Sequence, residues 1–196
     1  MSGNDPGVCL VTQPHRERAS KDHAYDLAEI VAEITAVTVV TANLPADSAL
    51  RADHEVEEYS TGGAGTNVVV EALRFVLNQL RLCRLLLRRE EAVVLFFGTT
   101  SYLLPAAFAR LTGKTVLVLP RGDVPLSLRL RWEESMPEPL ARALAGAVSV
   151  LERVNYRLAD AVVSYTPSMA TQLGLGRYEH KLYTSGARFV DTEQFD

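Results

Sequence analysis

AVVLFFGTTSYLLPAAFARLTGKTVLVLPRGD, residues 92–123, holds a strand, a helix and a second strand in succession. AVVLFF and TVLVLP are short apolar runs rich in β-branched residues, bounded by turn chemistry, and they read as strands buried on both faces. Between them SYLLPAAFARLTG has apolar residues at helical spacing, and Gly113 closes the helix. The three elements make a βαβ unit with a right-handed crossover. Polar residues follow each strand: Gly98, Thr99, Thr100 and Ser101 after the first, Arg121, Gly122 and Asp123 after the second. Ligands of open parallel sheets bind just beyond such carboxyl ends.

Outward from this unit the same alternation continues. Strands are expected at residues 8–12, 36–41, 161–165 and 181–185, with a weaker edge strand at 55–60. Helices are expected at 23–34, with Ser20 and Asp22 competing as N-caps, at 66–89, at 138–158, and at 167–173, where Thr166 caps and Pro167 opens. Residues 43–53 and 124–137 read as irregular. In the helix 66–89, Glu71, Arg74, Asn78, Arg81, Arg84 and Arg88 form one polar stripe, so the apolar remainder is expected to be buried. In 138–158 the inner face is expected to be Leu140, Leu144, Ala147, Leu151, Val154 and Leu158. The fold class is therefore α/β, a doubly wound, mostly parallel, Rossmann-like sheet with helices on both faces.

At 196 residues, 47% hydrophobic and 22% charged, the chain suits one soluble α/β domain. A net charge of −4 argues against a nucleic-acid partner. Cys9 and Cys83 fall in a strand and a helix and read as reduced core thiols. MSGNDPG lacks the pattern of a signal peptide and no apolar run reaches the ~18–20 residues of a membrane span, so a cytoplasmic location is expected. His15, His23, His54 and His180 show no metal spacing, and no serine sits in a nucleophile elbow. Neither a metal nor a cofactor is called for.

LERVNYRLADAVVSYTPSMATQLGL, residues 151–175, followed by KLYTSGARFVDTEQF, residues 181–195, carries a more specific pattern. The chain resembles the N-terminal domain of GT-B-fold glycosyltransferases in the large retaining group called family 4. The helix, the Ala-Asp strand, the hydroxyl-bearing turn, the short helix and the final strand follow the family's order. Ser185, Gly186, Ala187, Arg188, Phe189, Val190 and Asp191 stand where the family commonly has an Asn-Gly-Val-Asp segment, with Phe195 in the place of a Phe before the crossing to the second domain. Ser185 replaces the usual Asn, and QPHRERAS replaces the frequent glycine-rich first loop.

The resemblance implies an N-terminal, acceptor-side domain over residues 1–186. Residues 187–196 would begin the linker to a C-terminal donor-binding domain, whose paired-glutamate motif this sequence does not contain. The donor, a nucleotide-sugar, would be bound mainly by that domain in cis or trans, and the acceptor would be a sugar or lipid-linked molecule. Alone the chain is expected to be inactive or nearly so.

With strands wound 3-2-1-4-5-6, the topological switch lies between the first and fourth. His15, Arg16 and Arg18 then face Thr99 and Thr100, whose amides open a helix and favour an anion, while the arginines suit a diphosphate or phosphorylated acceptor. Arg121 is expected to contact a phosphate or sugar and Asp123 to accept from a hydroxyl. The blander readings are a solvated loop for the first group and a structural ion pair for the second. Gly62, Gly63 and Gly65 form a flexible turn rather than a phosphate loop, lacking a Walker lysine. LRLRW, residues 128–132, with Arg74, Arg81, Arg84 and Arg88, suggests peripheral contact with an anionic inner-membrane face, against which stands a plain solvated helix. The alternative for the whole chain is a stand-alone nucleotide- or partner-binding Rossmann-like module, although no glycine fingerprint follows VCLVT.

Overall fold

Each apolar run becomes a parallel strand. A computed structural model describes residues 7–12, 18–60 and 68–185, with backbone alone at 18–22 and 68–72. The strands are β1 (Val8–Thr12), β2 (Val37–Ala42), β3 (Glu55–Ser60), β4 (Val93–Phe97), β5 (Thr115–Leu119), β6 (Ala161–Ser164) and β7 (Leu182–Thr184). Among the described residues they form one seven-stranded sheet in the order β3-β2-β1-β4-β5-β6-β7, parallel throughout. Val8 lies opposite Val37 on one side and Val93 on the other, so β1 and β4 meet at the expected switch. β3 is an edge strand, as its weaker alternation predicts.

The helices are α1 (Arg18–Ala32), α2 (Ala49–Asp53), α3 (Val68–Arg88), α4 (Leu103–Leu111), α5 (Val124–Glu133), α6 (Glu138–Leu158) and α7 (Pro167–Gln172), followed by a 3-10 helix, Leu175–Lys181. Successive side chains of a strand point to opposite faces, and here both faces are covered. Cys9, Val11, Phe96 and Val118 pack with residues of α3, α4, α6, α7 and the 3-10 helix; Leu10, Val39, Leu95 and Leu119 pack with α1 and α2. Cys9 and Cys83 are free and buried, and burial, with the Glu91 charge adding, pushes the Cys9 thiol up to about 12.

The boundaries differ from the sequence reading in several places, each for a local reason. α1 begins at Arg18, so Ser20 and Asp22 lie inside it rather than capping it. The stretch 43–53 contains α2, held by Arg51, which donates to the Leu44 and Pro45 carbonyls and to Glu58 at 2.5 Å. The stretch 124–137 is largely α5. Its start is fixed by Asp123 Oδ1 accepting from the Leu126 amide at 2.9 Å, with Pro125 in the first turn. The α6 bounds agree with the sequence reading, and its C-terminal carbonyls are closed by Lys181 Nζ, which donates to Arg157 and Ala159. Asp160, of the Ala-Asp pair, accepts from the Val116 amide at 2.9 Å and from Arg110 at 2.6 Å, tying β5 to the start of β6.

Two helices bury less, or a different face, than expected: the arginine stripe of α3 is exposed as expected but much of its apolar remainder is exposed too, and α6 turns another face inward. On α3 the buried residues are Leu82, Cys83 and Leu86, while Leu73, Val76, Leu77, Leu80 and Leu87 form an exposed stripe beside the exposed Arg81, Arg84 and Arg88. On α6 the buried residues are Ala141, Ala145, Glu152, Asn155 and Tyr156, and Leu140, Leu144 and Leu151 are exposed.

Thr166 caps α7 as the sequence indicates, accepting from the Met169 amide at 3.1 Å. Thr166→Ala is expected to lower stability by about 1 kcal/mol, read as a lower urea midpoint at unchanged slope.

Candidate functional site

The tips of β1, β4 and β5 lie side by side because those strands are neighbours in a parallel sheet. The Thr12 hydroxyl donates to Thr41 at 3.0 Å, joining the buried tips of β1 and β2. After β4 the chain turns at Gly98, whose φ of +116° is costly for a residue with a Cβ, and the Gly98 amide donates to the Leu119 carbonyl at 2.8 Å. The turn after β4 is thereby held against the tip of β5.

Thr99 and Thr100 sit in that turn. α4 begins only at Leu103, so their amides precede the helix rather than forming its first turn. Both hydroxyls donate to Glu152 Oε1 on α6, at 2.9 Å from Thr99 and 2.8 Å from Thr100. Asn155, one turn further along α6, donates to the Thr99 carbonyl at 2.5 Å. Thr99 is 3% exposed and Glu152 5%. Burial pushes the Glu152 carboxyl above its ordinary value, opposed by the two hydroxyls and reinforced by the nearby Asp123 charge. The two threonines thus hold the turn in shape with their side chains.

Arg121 and Asp123 follow β5. The Arg121 guanidinium lies 5.1 Å from the centroid of the buried Phe97 ring, a cation held over an aromatic face at the strand tips. Asp123 caps α5 and also lines a cavity of about 240 Å³ shared with α6, α7 and the 3-10 helix. Glu152, Arg153, Tyr156 and Arg177 line the same cavity. Of the other expected site residues, His15 and Arg16 lie outside the described residues, and Arg18 is the first residue of α1, described by its backbone alone. Gly62, Gly63, Gly65 and the segment 186–196 also lie outside them.

Glu152, Asn155 and Tyr156 escaped the sequence reading because the leucine stripe of α6 took the inner face. Their signal was present: a carboxylate, an amide and a phenol at i, i+3 and i+4 share one helical face. Among the described residues no three His, Cys, Asp or Glu side chains converge as metal ligands would. No described helix is long and apolar enough to cross a membrane.

No family model matches the chain, and no curated protein matches it in sequence. Solved structures do match. LpCGTa, in complex with UDP, superposes with a TM-score of 0.61 at 16% identity, over 95% of this chain and 55% of its own. A UDP-N-acetylglucosamine 2-epimerase from Rickettsia bellii gives 0.60 at 14% identity, over 94% and 46%. The fold is that of a GT-B lobe. The lipopolysaccharide outer core galactosyltransferase WaaB, in its apo form, gives 0.57 at 10% identity, over 92% of this chain and 45% of its own. This GT-B lobe therefore spans about half the length of the proteins it resembles.

Proposed function

We propose that this chain is the acceptor-binding half of a retaining glycosyltransferase that moves a sugar from a nucleotide-sugar to a glycan or lipid-linked acceptor. The observation that carries the reading is the strand order. With β1 beside β4 and every strand parallel, the turns 98–101 and 121–123 open together at the switch point, where ligands of open α/β sheets bind. The GT-B likeness supports it, because structures of this fold include one in complex with UDP and a galactosyltransferase. The retaining outcome rests on the resemblance of residues 151–195 to family 4.

In this reading the lobe supplies position rather than reacting groups. The turn braced by Glu152 presents its backbone to the acceptor, Arg121 contributes a cation, and His15, Arg16 and Arg18, which follow β1 in the sequence, contribute as well. Donor contacts come from a second lobe in cis or trans. The proposed setting is the cytoplasm, peripheral on the inner membrane face, where the leucines and arginines exposed on α3 suit the bilayer around a lipid-linked acceptor.

The test is an NMR titration of the purified chain with UDP-glucose and, separately, with a panel of neutral oligosaccharides, alongside a transfer assay. Amide shifts at 98–101 and 121–123 with an oligosaccharide, and no transfer by the chain alone, are expected. Tight UDP-glucose binding with no response to any glycan would favour the stand-alone nucleotide-binding module instead. Robust transfer by the chain alone would overturn its assignment as a half.

A further inference from the structure

The cavity between α6, α7 and the 3-10 helix has a composition that bracing the turn does not require. At about 240 Å³ it is smaller than the roughly 300–1,000 Å³ of drug-sized pockets and fits a single sugar-sized group. Arg153 and Arg177 line it, both exposed, and neither makes an ion pair or a side-chain hydrogen bond among the described residues. Opposite charge lies on the remaining wall, from Asp123 and Glu152. Glu152 Oε1 takes both threonine hydroxyls, so Oε2 accepts no hydrogen bond among the described residues. The Tyr156 hydroxyl, on a residue 3% exposed that lines the same cavity, makes no hydrogen bond of ordinary geometry among the described residues. Gln172, at the end of α7, adds an amide that can donate and accept.

Two guanidiniums without an ion pair among the described residues, beside acceptor oxygens and a phenol hydroxyl, fit a ligand that carries both an anionic group and free hydroxyls. We propose that this cavity binds a sugar bearing a phosphate or carboxylate, its anion on Arg153 and Arg177 and its hydroxyls toward Glu152, Tyr156 and Gln172. This deepens the acceptor-side reading, on which it rests, by naming the acceptor as an anionic sugar unit. Two guanidiniums suit phosphate and carboxylate alike, since both accept paired N–H bonds.

The experiment titrates the full chain by NMR with glucose 6-phosphate, glucuronate, glucose and inorganic phosphate. One or both anionic sugars are expected to shift the amides around Glu152 and Arg177 and to bind at least tenfold more tightly than glucose or inorganic phosphate. Binding should weaken with added salt. Arg153→Ala and Arg177→Ala should each weaken it about ten- to a hundredfold, and Arg153→Lys should restore part of the loss. Both arginines are exposed, and unchanged thermal melts confirm that the variants fold. Equal binding of inorganic phosphate would overturn the sugar site, as would equal binding of glucose, or anionic-sugar binding unaffected by both alanine variants. If neutral oligosaccharides shift residues 98–101 while neither anionic sugar binds, this inference falls and the acceptor-side reading stands. If no sugar of any kind binds, both fall.

Discussion

Arg89→Met is expected to cost about 3 kcal/mol of folding stability, the upper end of the range for a hydrogen bond to a charged group. Arg89 sits at the end of the sheet opposite the strand tips. Its Nη2 donates to Glu91 at 2.6 Å and to the Thr38 hydroxyl at 2.7 Å, and its Nη1 to Glu55 at 2.9 Å. Lys114 Nζ donates to the carbonyls of residues 89 and 91, which brings the start of β5 into the same cluster. The Glu91 side chain is 10% exposed, so methionine at 89 leaves a partly buried carboxylate without its guanidinium, whereas the Glu55 contact is largely in water and adds little.

The loss depends on pH. Burial pushes the Glu91 carboxyl up, but hydrogen bonds from Arg89 and Thr38 outweigh it and hold the group at about 2, against 4.5 unfolded. A depressed folded value means that its stabilisation is present above pH 4.5 and is lost as pH falls toward 2. The stability difference between wild type and Arg89→Met, measured by urea unfolding, is therefore expected to shrink across that interval. A constant difference would show that Arg89 acts through packing alone.

Glu152→Leu is the second large effect, expected at about 2–4 kcal/mol, because two hydroxyls lose their acceptor and that of Thr99 is left buried and unsatisfied. Glu152→Gln keeps a carbonyl oxygen for the threonines and is expected to fall within about 1 kcal/mol of wild type near pH 4.5. The pH dependence has the opposite sign to that of Glu91. The folded Glu152 carboxyl lies above its ordinary 4.5, chiefly through burial, so its stabilisation is full below that value and declines as pH rises through the folded one. Glu152→Gln should gain on wild type between pH 4.5 and pH 7.5 in urea unfolding. It should leave the amide positions of residues 98–101 in place, whereas Glu152→Leu should shift them, separating the turn's shape from the charge that braces it.

The strand-tip site was only partly legible in the sequence. The polar residues after β4 and β5 could be named because strand ends are marked locally, by Gly98 and by Pro120. That Thr99 and Thr100 spend their hydroxyls on a glutamate more than fifty residues later could not be seen, since no local pattern encodes that pairing. Asp123 was readable as a candidate hydroxyl acceptor. The same residue followed by Val-Pro is also a helix start, and α5 begins there although residues 124–137 lack a clear apolar period.

Taken alone, the sequence determined the alternation of strand and helix and, through it, the parallel sheet. Buried strands need unbroken apolar runs and helices need caps, and both are written within a few residues. Only the tertiary structure decided how much of the apolar surface of α3 is covered and which face of α6 turns inward. Apolar periodicity assigns the leucine stripe of α6 to the core, yet the buried face is Ala141, Ala145, Glu152, Asn155 and Tyr156. That face meets close-packed neighbours at one end, where small residues fit, and the polar turn after β4 at the other, where hydrogen-bond partners are needed. Both demands come from residues distant in the chain, so they exist only once the fold has brought those residues together.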